Sequence, residues 1–288
     1  MSEIEDLIGR SGGIGDCYFD PRDFEIRETA EEGHYWHLHR CAIIFELMRA
    51  ICPDTSARIL DIGCGTGRVA THLNQHGWHV DYSDVHRQGL EVARRRAEVR
   101  LGATVDDRRF IRLDITHQFP SHRYLGALLL DVLEHLPDDA AVMRNLHQGL
   151  TAGQERAPQR FHRPFVVFTV PAFEMLWSPW DDLERHKRRY TLDQARRLAE
   201  HSGFAVERLS YFFFPLFFAA LGMKSLRAGR RAVLGAPAAP ASIVELTESR
   251  SIPTINRVIL RLLSLESRWL QQRDLPLGTS ILCVARPV

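Results

Sequence analysis

The stretch Leu60-Asp61-Ile62-Gly63-Cys64-Gly65-Thr66-Gly67 decides the fold. A short β-rich run at 58–62 leads into it and a helical pattern at 69–75 leaves it, so it reads as a strand-to-helix turn. Glycines there permit a tight turn and a close approach of backbone to ligand, while the first helical turn offers unpaired N–H groups. The GxGxG pattern by itself occurs in many nucleotide binders and in plain turns. Asp61 narrows the choice, because a carboxylate at this point repels a pyrophosphate and suits a cationic, amino-bearing ligand. No Gly-Lys-Ser or Gly-Lys-Thr follows, which argues against a P-loop.

Outward from this turn the alternation continues. Apolar runs at 78–83, 109–113, 125–130, 165–170 and 204–213 are separated by helical patterns at 88–100, 138–150 and 191–202. That order predicts βαβ units and a doubly wound, mostly parallel α/β sheet, with a last strand at 280–285 as the seventh. The 125–130 run is continuously apolar, as a strand buried on both faces should be. Thr191 supplies an N-cap and Gly203 a stop for the helix between them. The expected division is an N-terminal helical cap at 1–56 with a helix at 36–51, an α/β core at 57–213, a helical insertion at 214–278, and the final core strand at 279–288. Within the insertion, the phenylalanine-rich run 211–223 carries no charge and is too short to span a bilayer, and Pro215 is expected to interrupt any helix there. Lys224, Arg227, Arg230 and Arg231 follow it, then an Ala/Pro-rich linker around 235–241 and an amphipathic helix at 255–271.

Three further carboxylates fall at strand ends. Asp84 closes the second strand, where it can accept from both hydroxyls of a ribose. Asp114 closes the third, beside the place of an adenine amino group, and Asp131 follows Leu130 at the end of the fourth. Each alone reads more readily as a solvated loop residue or a helix cap. Together with Asp61 they converge on the crevice where open α/β sheets bind ligands.

In these motifs the chain resembles the class I S-adenosylmethionine-dependent methyltransferases, with their Rossmann-like fold. The resemblance implies S-adenosylmethionine as cofactor and S-adenosylhomocysteine as product. It places Asp61, Gly63, Cys64, Gly65 and Gly67 around the cofactor, Asp84 and Val85 at its ribose, Asp114 and Ile115 on its adenine side, and Leu130 and Asp131 near its methionine amino group. It continues through Val170-Pro171-Ala172, Leu176-Trp177-Ser178 and the His186–Thr191 run. The His34-Tyr35-Trp36-His37 segment and the stretch 275–280 are similar to one bacterial subgroup with a long insertion before the last strand. Two scaffold positions depart from the pattern: Thr151-Ala152-Gly153 and an extended polar loop to Arg163 stand where Pro-Gly-Gly is usual, and Leu125 replaces an aspartate.

The sulfonium already activates the methyl group, so the protein's main task is to position an acceptor atom and, where needed, to remove its proton. His186, His37, His34 and His135 are the candidate bases, with Tyr190 as a hydrogen-bond partner; each also reads as a cap or a surface histidine. The expected acceptor atom is an oxygen on a small molecule or peptide with a hydrophobic part. Transfer to nitrogen or carbon, or a non-catalytic S-adenosylmethionine-binding regulator, are the alternatives; an NAD oxidoreductase fits less well without GxGxxG spacing. No metal is expected, although Asp131-Val132-Leu133-Glu134-His135 is similar to the metal-binding segment of ubiquinone-pathway O-methyltransferases. The insertion should emerge beside the active site as a lid or substrate wall, as the core of its own helical layer, or as a peripheral membrane contact. Over 288 residues the formal charge is +1, which excludes the global field of a nucleic-acid binder. The five cysteines are scattered and read as free thiols. With no signal peptide or membrane span apparent, a cytoplasmic monomer or homodimer is expected.

Overall fold

The computed structural model describes residues 3–8, 21–152, 163–234 and 253–288. Its sheet contains β1 (Ile4–Asp6), β2 (Arg58–Ile62), β3 (His79–Asp84), β4 (Phe110–Arg112), β5 (Gly126–Leu130), β6 (Phe165–Pro171), β7 (Phe204–Phe212) and β8 (Ser280–Pro287). The helices are α1 (Pro21–Glu31), α2 (Tyr35–Ile51), α3 (Arg68–Gln75), α4 (Arg87–Leu101), α5 (Asp139–Thr151), α6 (Pro179–Leu183), α7 (Leu192–His201), α8 (Phe214–Leu234) and α9 (Pro253–Leu270). Strand order is β1-β4-β3-β2-β5-β6-β8-β7, and only β8 runs against the others. The chain leaves β2 toward β3 and β4, then returns to add β5 on the other side of β2. This reversal opens a crevice at the carboxyl ends of β2 and β5, where such sheets bind ligands.

Period-two alternation assigns the strand side chains to two cores. Ile59, Leu128 and Val167 pack with Ile44, Met48 and Leu73 on one face, while Leu60, Leu129 and Phe168 pack with Leu146 and Ala195 on the other. Each fully buried aliphatic side chain contributes about 1.5–3 kcal/mol, so covering both faces drives this arrangement. Truncation of Leu129, which is fully buried, to Ala would cost roughly 2–5 kcal/mol.

Three expectations need correction. The sheet has eight strands, because β1 adds to the edge of β4, tied by an Arg112–Asp6 ion pair at 3.0 Å. This strand has three residues, two of them acidic, and only Ile4 is buried, so its apolar pattern is too short to detect. Pro215 does not interrupt a helix but sits in the first turn of α8, where its missing N–H costs nothing. A further helix, α1, precedes the expected one. The polar loop before Arg163 and the linker around 235–241 lie outside the described residues. No helix among the described residues is long and apolar enough to cross a membrane.

Candidate active site

A cleft of about 1280 Å³ occupies the crevice, which exceeds the usual 300–1,000 Å³ of a single small-ligand site. One wall is the glycine turn. Gly63, Gly65 and Gly67 all have positive φ (69°, 55° and 71°), which accounts for three glycines in five residues. A Cβ on Gly63 would lie 2.6 Å from Val132, whereas one on Gly65 would meet nothing within 4 Å, so the turn presents open backbone to the cleft at Gly65. Asp84 at the tip of β3 accepts from the Gly65 N–H and the His86 N–H, both at 2.8 Å, and so holds the turn against the sheet. Burial raises the Asp84 carboxyl above its ordinary range.

Gly63, Cys64, Gly65, Asp84, Val85, Asp114, Ile115, Leu130 and Asp131 all line the cleft, as expected of cofactor contacts. Asp114 spends Oδ1 on its own turn, accepting from the Thr116 N–H at 2.9 Å and its hydroxyl at 2.5 Å. Two expected contacts stand apart from the cleft wall. Asp61 is 3% exposed, and desolvation, tempered by Arg40 and reinforced by Asp84, pushes its carboxyl up to about 7. Gly67 instead packs beneath the loop, where a Cβ would lie 2.7 Å from Ala93.

The residue after β5 is strained. Asp131 has φ 60°, rare for a residue with a Cβ, and is held there by Arg40 at 2.5 Å and by the Thr169 hydroxyl at 3.1 Å. Arg40 also lies over the Trp36 ring at 4.5 Å. The cap helices are fastened across the cleft. Glu31 of α1 accepts from the Thr66 hydroxyl at 2.5 Å and from Arg96 at 2.7 Å, locking α1 to the glycine turn. Arg27 of α1 makes two bonds, at 2.7 and 2.9 Å, to Glu184 on the far side.

Beyond β6, His186 takes the position expected of a base. Its Nδ1 is 2.8 Å from Asp181 Oδ1, its Nε2 lies 3.9 Å from Glu134, and the residue lines the cleft. Asp181 is fully buried and also accepts from Arg189 and from the backbone and hydroxyl of Ser178. Burial alone would raise its carboxyl, but the bonds from His186 and Arg189 outweigh that and hold it well below the usual range. His135 rings stand edge-on to His186 at 4.8 Å, and burial, with His186 and Arg27, lowers His135 to about 3. His34 and His37 also line the cleft. His34 caps α2 through Trp36 N–H, and burial, with Arg40 and His34, lowers His37 well below its ordinary value.

Tyr190 must be withdrawn from the site. It is 4% exposed, absent from the cleft wall, and donates to Asp139 at 2.7 Å, so it secures α5. Asp181, Arg40 and Glu184 were not anticipated. Asp181 had one signal, the Ser178-x-x-Asp181 capping box; Arg40 and Glu184 act through partners 91 and 157 residues away and had none.

Glu134 is fully buried, and neither carboxylate oxygen has a hydrogen-bond partner among the described residues. Desolvation first, then Asp131, raises it well above its usual value. Donor atoms of Glu134, His135 and His186 lie within 4.8 Å of one another, a set able to hold a divalent ion. The set differs from the Asp131, Glu134 and His135 of the segment that resembles a metal-binding one, because Arg40 claims Asp131.

The cleft fits S-adenosylmethionine on three counts: open backbone at Gly65, a carboxylate at each of the β3 and β4 tips, and volume left over for an acceptor. The chain matches the family model for a methyltransferase domain over residues 35–209. Among curated proteins it is similar to ubiquinone biosynthesis O-methyltransferases. That of Aeromonas salmonicida is 26% identical over 156 residues, 53% of this chain and 65% of the relative. That of Xylella fastidiosa is 33% identical over 118 residues, 41% of this chain and 47% of the relative. The chain thus spans between about half and just under two thirds of these relatives. Among solved structures, Haemonchus contortus phosphoethanolamine N-methyltransferase 2 in complex with S-adenosyl-L-methionine shares the fold at 15% identity and TM-score 0.53, over 96% of this chain and 61% of that one. The methyltransferase chain of the complex with the Haloferax volcanii Trm112 methyltransferase activator does so at 13% identity and TM-score 0.55, over 92% and 95%. The family match begins at the cap helix α2 and ends within β7, taking in the glycine turn and the β2 to β6 strand ends, and the chain belongs to the class I S-adenosylmethionine-dependent methyltransferases.

Proposed function

We propose that the protein methylates an oxygen of a small-molecule acceptor that carries a hydrophobic part. The observation that carries this reading is the Asp181–His186 pair, in which a fully buried carboxylate meets an imidazole that lines the same cleft as the glycine turn. Bound S-adenosylmethionine would supply a methyl group already activated by its sulfonium. The Gly63–Gly65 turn, Asp84, Asp114 and the Leu130–Asp131 backbone would hold it. Asp61, set under the turn, would add negative field toward its amino group.

With Nδ1–H donated to Asp181, His186 would carry its lone pair on Nε2 at the cleft wall. In this tautomer it can take the proton of an acceptor hydroxyl, while Asp181 stabilises the imidazolium that forms. The neighbouring His135, neutral because of burial, adds no competing charge. Trp36, Trp177, Leu216, Ala219 and Met223 line the same cleft and suit an apolar acceptor body. The ubiquinone-pathway relatives support oxygen as the acceptor atom.

Glu134 favours a second version of the same reaction. Its unpaired carboxylate, with His135 and His186, would hold a divalent ion, and such an ion would supply Lewis-acid activation of the acceptor hydroxyl. A product-detected screen of phenolic, alcoholic and amino acceptors with S-adenosylmethionine tests the reaction. Methylated phenols or alcohols with a pH profile abolished in His186→Gln support the histidine base. Activity lost to a chelator and restored by one divalent ion supports the metal version, and exclusive N-methylation refutes both.

A further inference from the structure

Among the described residues, most of the large apolar side chains left in water lie on the insertion between β7 and β8. On α9, Ile255, Val258, Leu262, Leu265 and Trp269 recur three and four residues apart and are each about half exposed or more. That spacing gathers them into one stripe. The stripe is not the face that packs on the protein, because Leu263, Glu266 and Leu270 are the buried positions. Phe218, Met223 and Leu226 on α8 are also more than half exposed.

The charge on these two helices is one-sided. Arg257, Arg261 and Arg268 of α9 are exposed, while its single acid, Glu266, is buried. There Glu266 accepts from His39 at 2.8 Å and from the Phe213 and Phe214 N–H groups at 2.6 Å. The α8 sequence adds Lys224, Arg227, Arg230 and Arg231 and no acid. On α9 the exposed charge beside the apolar stripe is thus all positive. Pairing with a second copy would set this arginine row against itself, with no exposed acid on either helix to neutralise it. A surface that is apolar inside and anionic outside satisfies both features, and Trp269 beside Arg268 is the residue pair that settles at such a boundary.

The same helices also wall the cleft, through Leu216, Ala219, Ala220 and Met223 of α8 and Ile259 of α9. Met223, at this end of the cleft, is 52% exposed. We propose that the outer face of α8 and α9 docks on an anionic phospholipid surface, bringing the apolar end of the cleft to the bilayer. Docking does not require methyl transfer and is measured without cofactor.

The test is co-flotation of the full chain with vesicles. The protein should float with phosphatidylcholine vesicles containing phosphatidylglycerol, bind pure phosphatidylcholine at least about tenfold more weakly, and be released by high salt. Joint Val258→Glu and Leu265→Glu substitution should abolish flotation while S-adenosylmethionine affinity stays unchanged. Should that variant fail to fold, joint Arg257→Gln and Arg261→Gln substitution should still weaken binding to the anionic vesicles and leave the melting temperature in place. No flotation of the unmodified chain on anionic vesicles would overturn the proposal. So would a dimer in light scattering that the Val258 and Leu265 substitutions dissolve, which would assign the face to a second copy.

Discussion

On the β2–β3–β4 side of the cleft, most polar groups come from strand tips and the turns that follow them, with Glu31 of α1 the addition from the cap. Across the cleft, beyond β5 and β6, the groups are assembled from afar: Arg40 reaches Asp131, Arg27 reaches Glu184, and Glu266 joins α9 to α2 and α8. The first side is backbone geometry, which the sheet topology dictates. The second is held by polar contacts that run from the N-terminal cap to the core and, through Glu266, to the insertion, and these can be exchanged without altering the sheet. Cofactor binding should therefore be robust to changes that alter acceptor handling.

The largest expected effect falls on the acceptor side. His186→Ala should lower kcat by about 10²- to 10⁴-fold, the usual worth of a positioned general base. Its S-adenosylmethionine affinity should change little, and a matching loss of affinity in calorimetry would erase the distinction between the two sides.

Glu266→Ala comes next. It strips the partner from His39 and from two backbone N–H groups at the start of α8, and should destabilise the protein by about 3–5 kcal/mol in denaturant unfolding. Glu266→Gln, which retains the shape, should recover part of this loss. If Glu266→Ala unfolds at the original midpoint, the insertion is not anchored through this carboxylate.

Opposite pH dependence sharpens the comparison further. Asp61 on the cofactor side is raised to about 7, so the folded state binds more protons than the unfolded state between about pH 4 and 7, and its contribution is lost as pH rises through that window. His135 on the acceptor side is lowered to about 3, so the unfolded state binds more protons between about pH 3 and 6.5, and its contribution is lost as pH falls. In the overlap the two slopes oppose. Asp61→Asn should leave stability rising with pH, and His135→Gln should leave it falling, by roughly 2 kcal/mol between pH 5 and 7 for the Asp61 term. Parallel profiles in urea unfolding would contradict both assignments.

The same division explains what the sequence reveals. Strand and helix alternation, the glycine turn and the positions of Asp84 and Asp114 are local patterns, and the structure places them where the pattern implies. His186 is legible from its place after β6, but Asp181 is signalled only by a capping box and Arg40 not at all. Tyr190 misleads because its hydroxyl, adjacent in sequence to the active-site run, is turned to Asp139. Edge strand β1 is too short and too acidic to show an apolar period. Pro215 looks like a break because proline is compatible with a helix only in its first turn, and where α8 begins depends on a carboxylate 52 residues beyond Phe214, Glu266.

The central claim is that the β2–β3 edge binds S-adenosylmethionine through the glycine turn and Asp84. Titration calorimetry of the unmodified chain and Asp84→Ala with S-adenosylmethionine and NAD measures this directly. One-site binding of S-adenosylmethionine, weakened at least about tenfold by Asp84→Ala, is the predicted result, since about 1.4 kcal/mol, the worth of a single charge-assisted bond, already gives that factor. Unchanged affinity in the variant, or tighter binding of NAD, would contradict it.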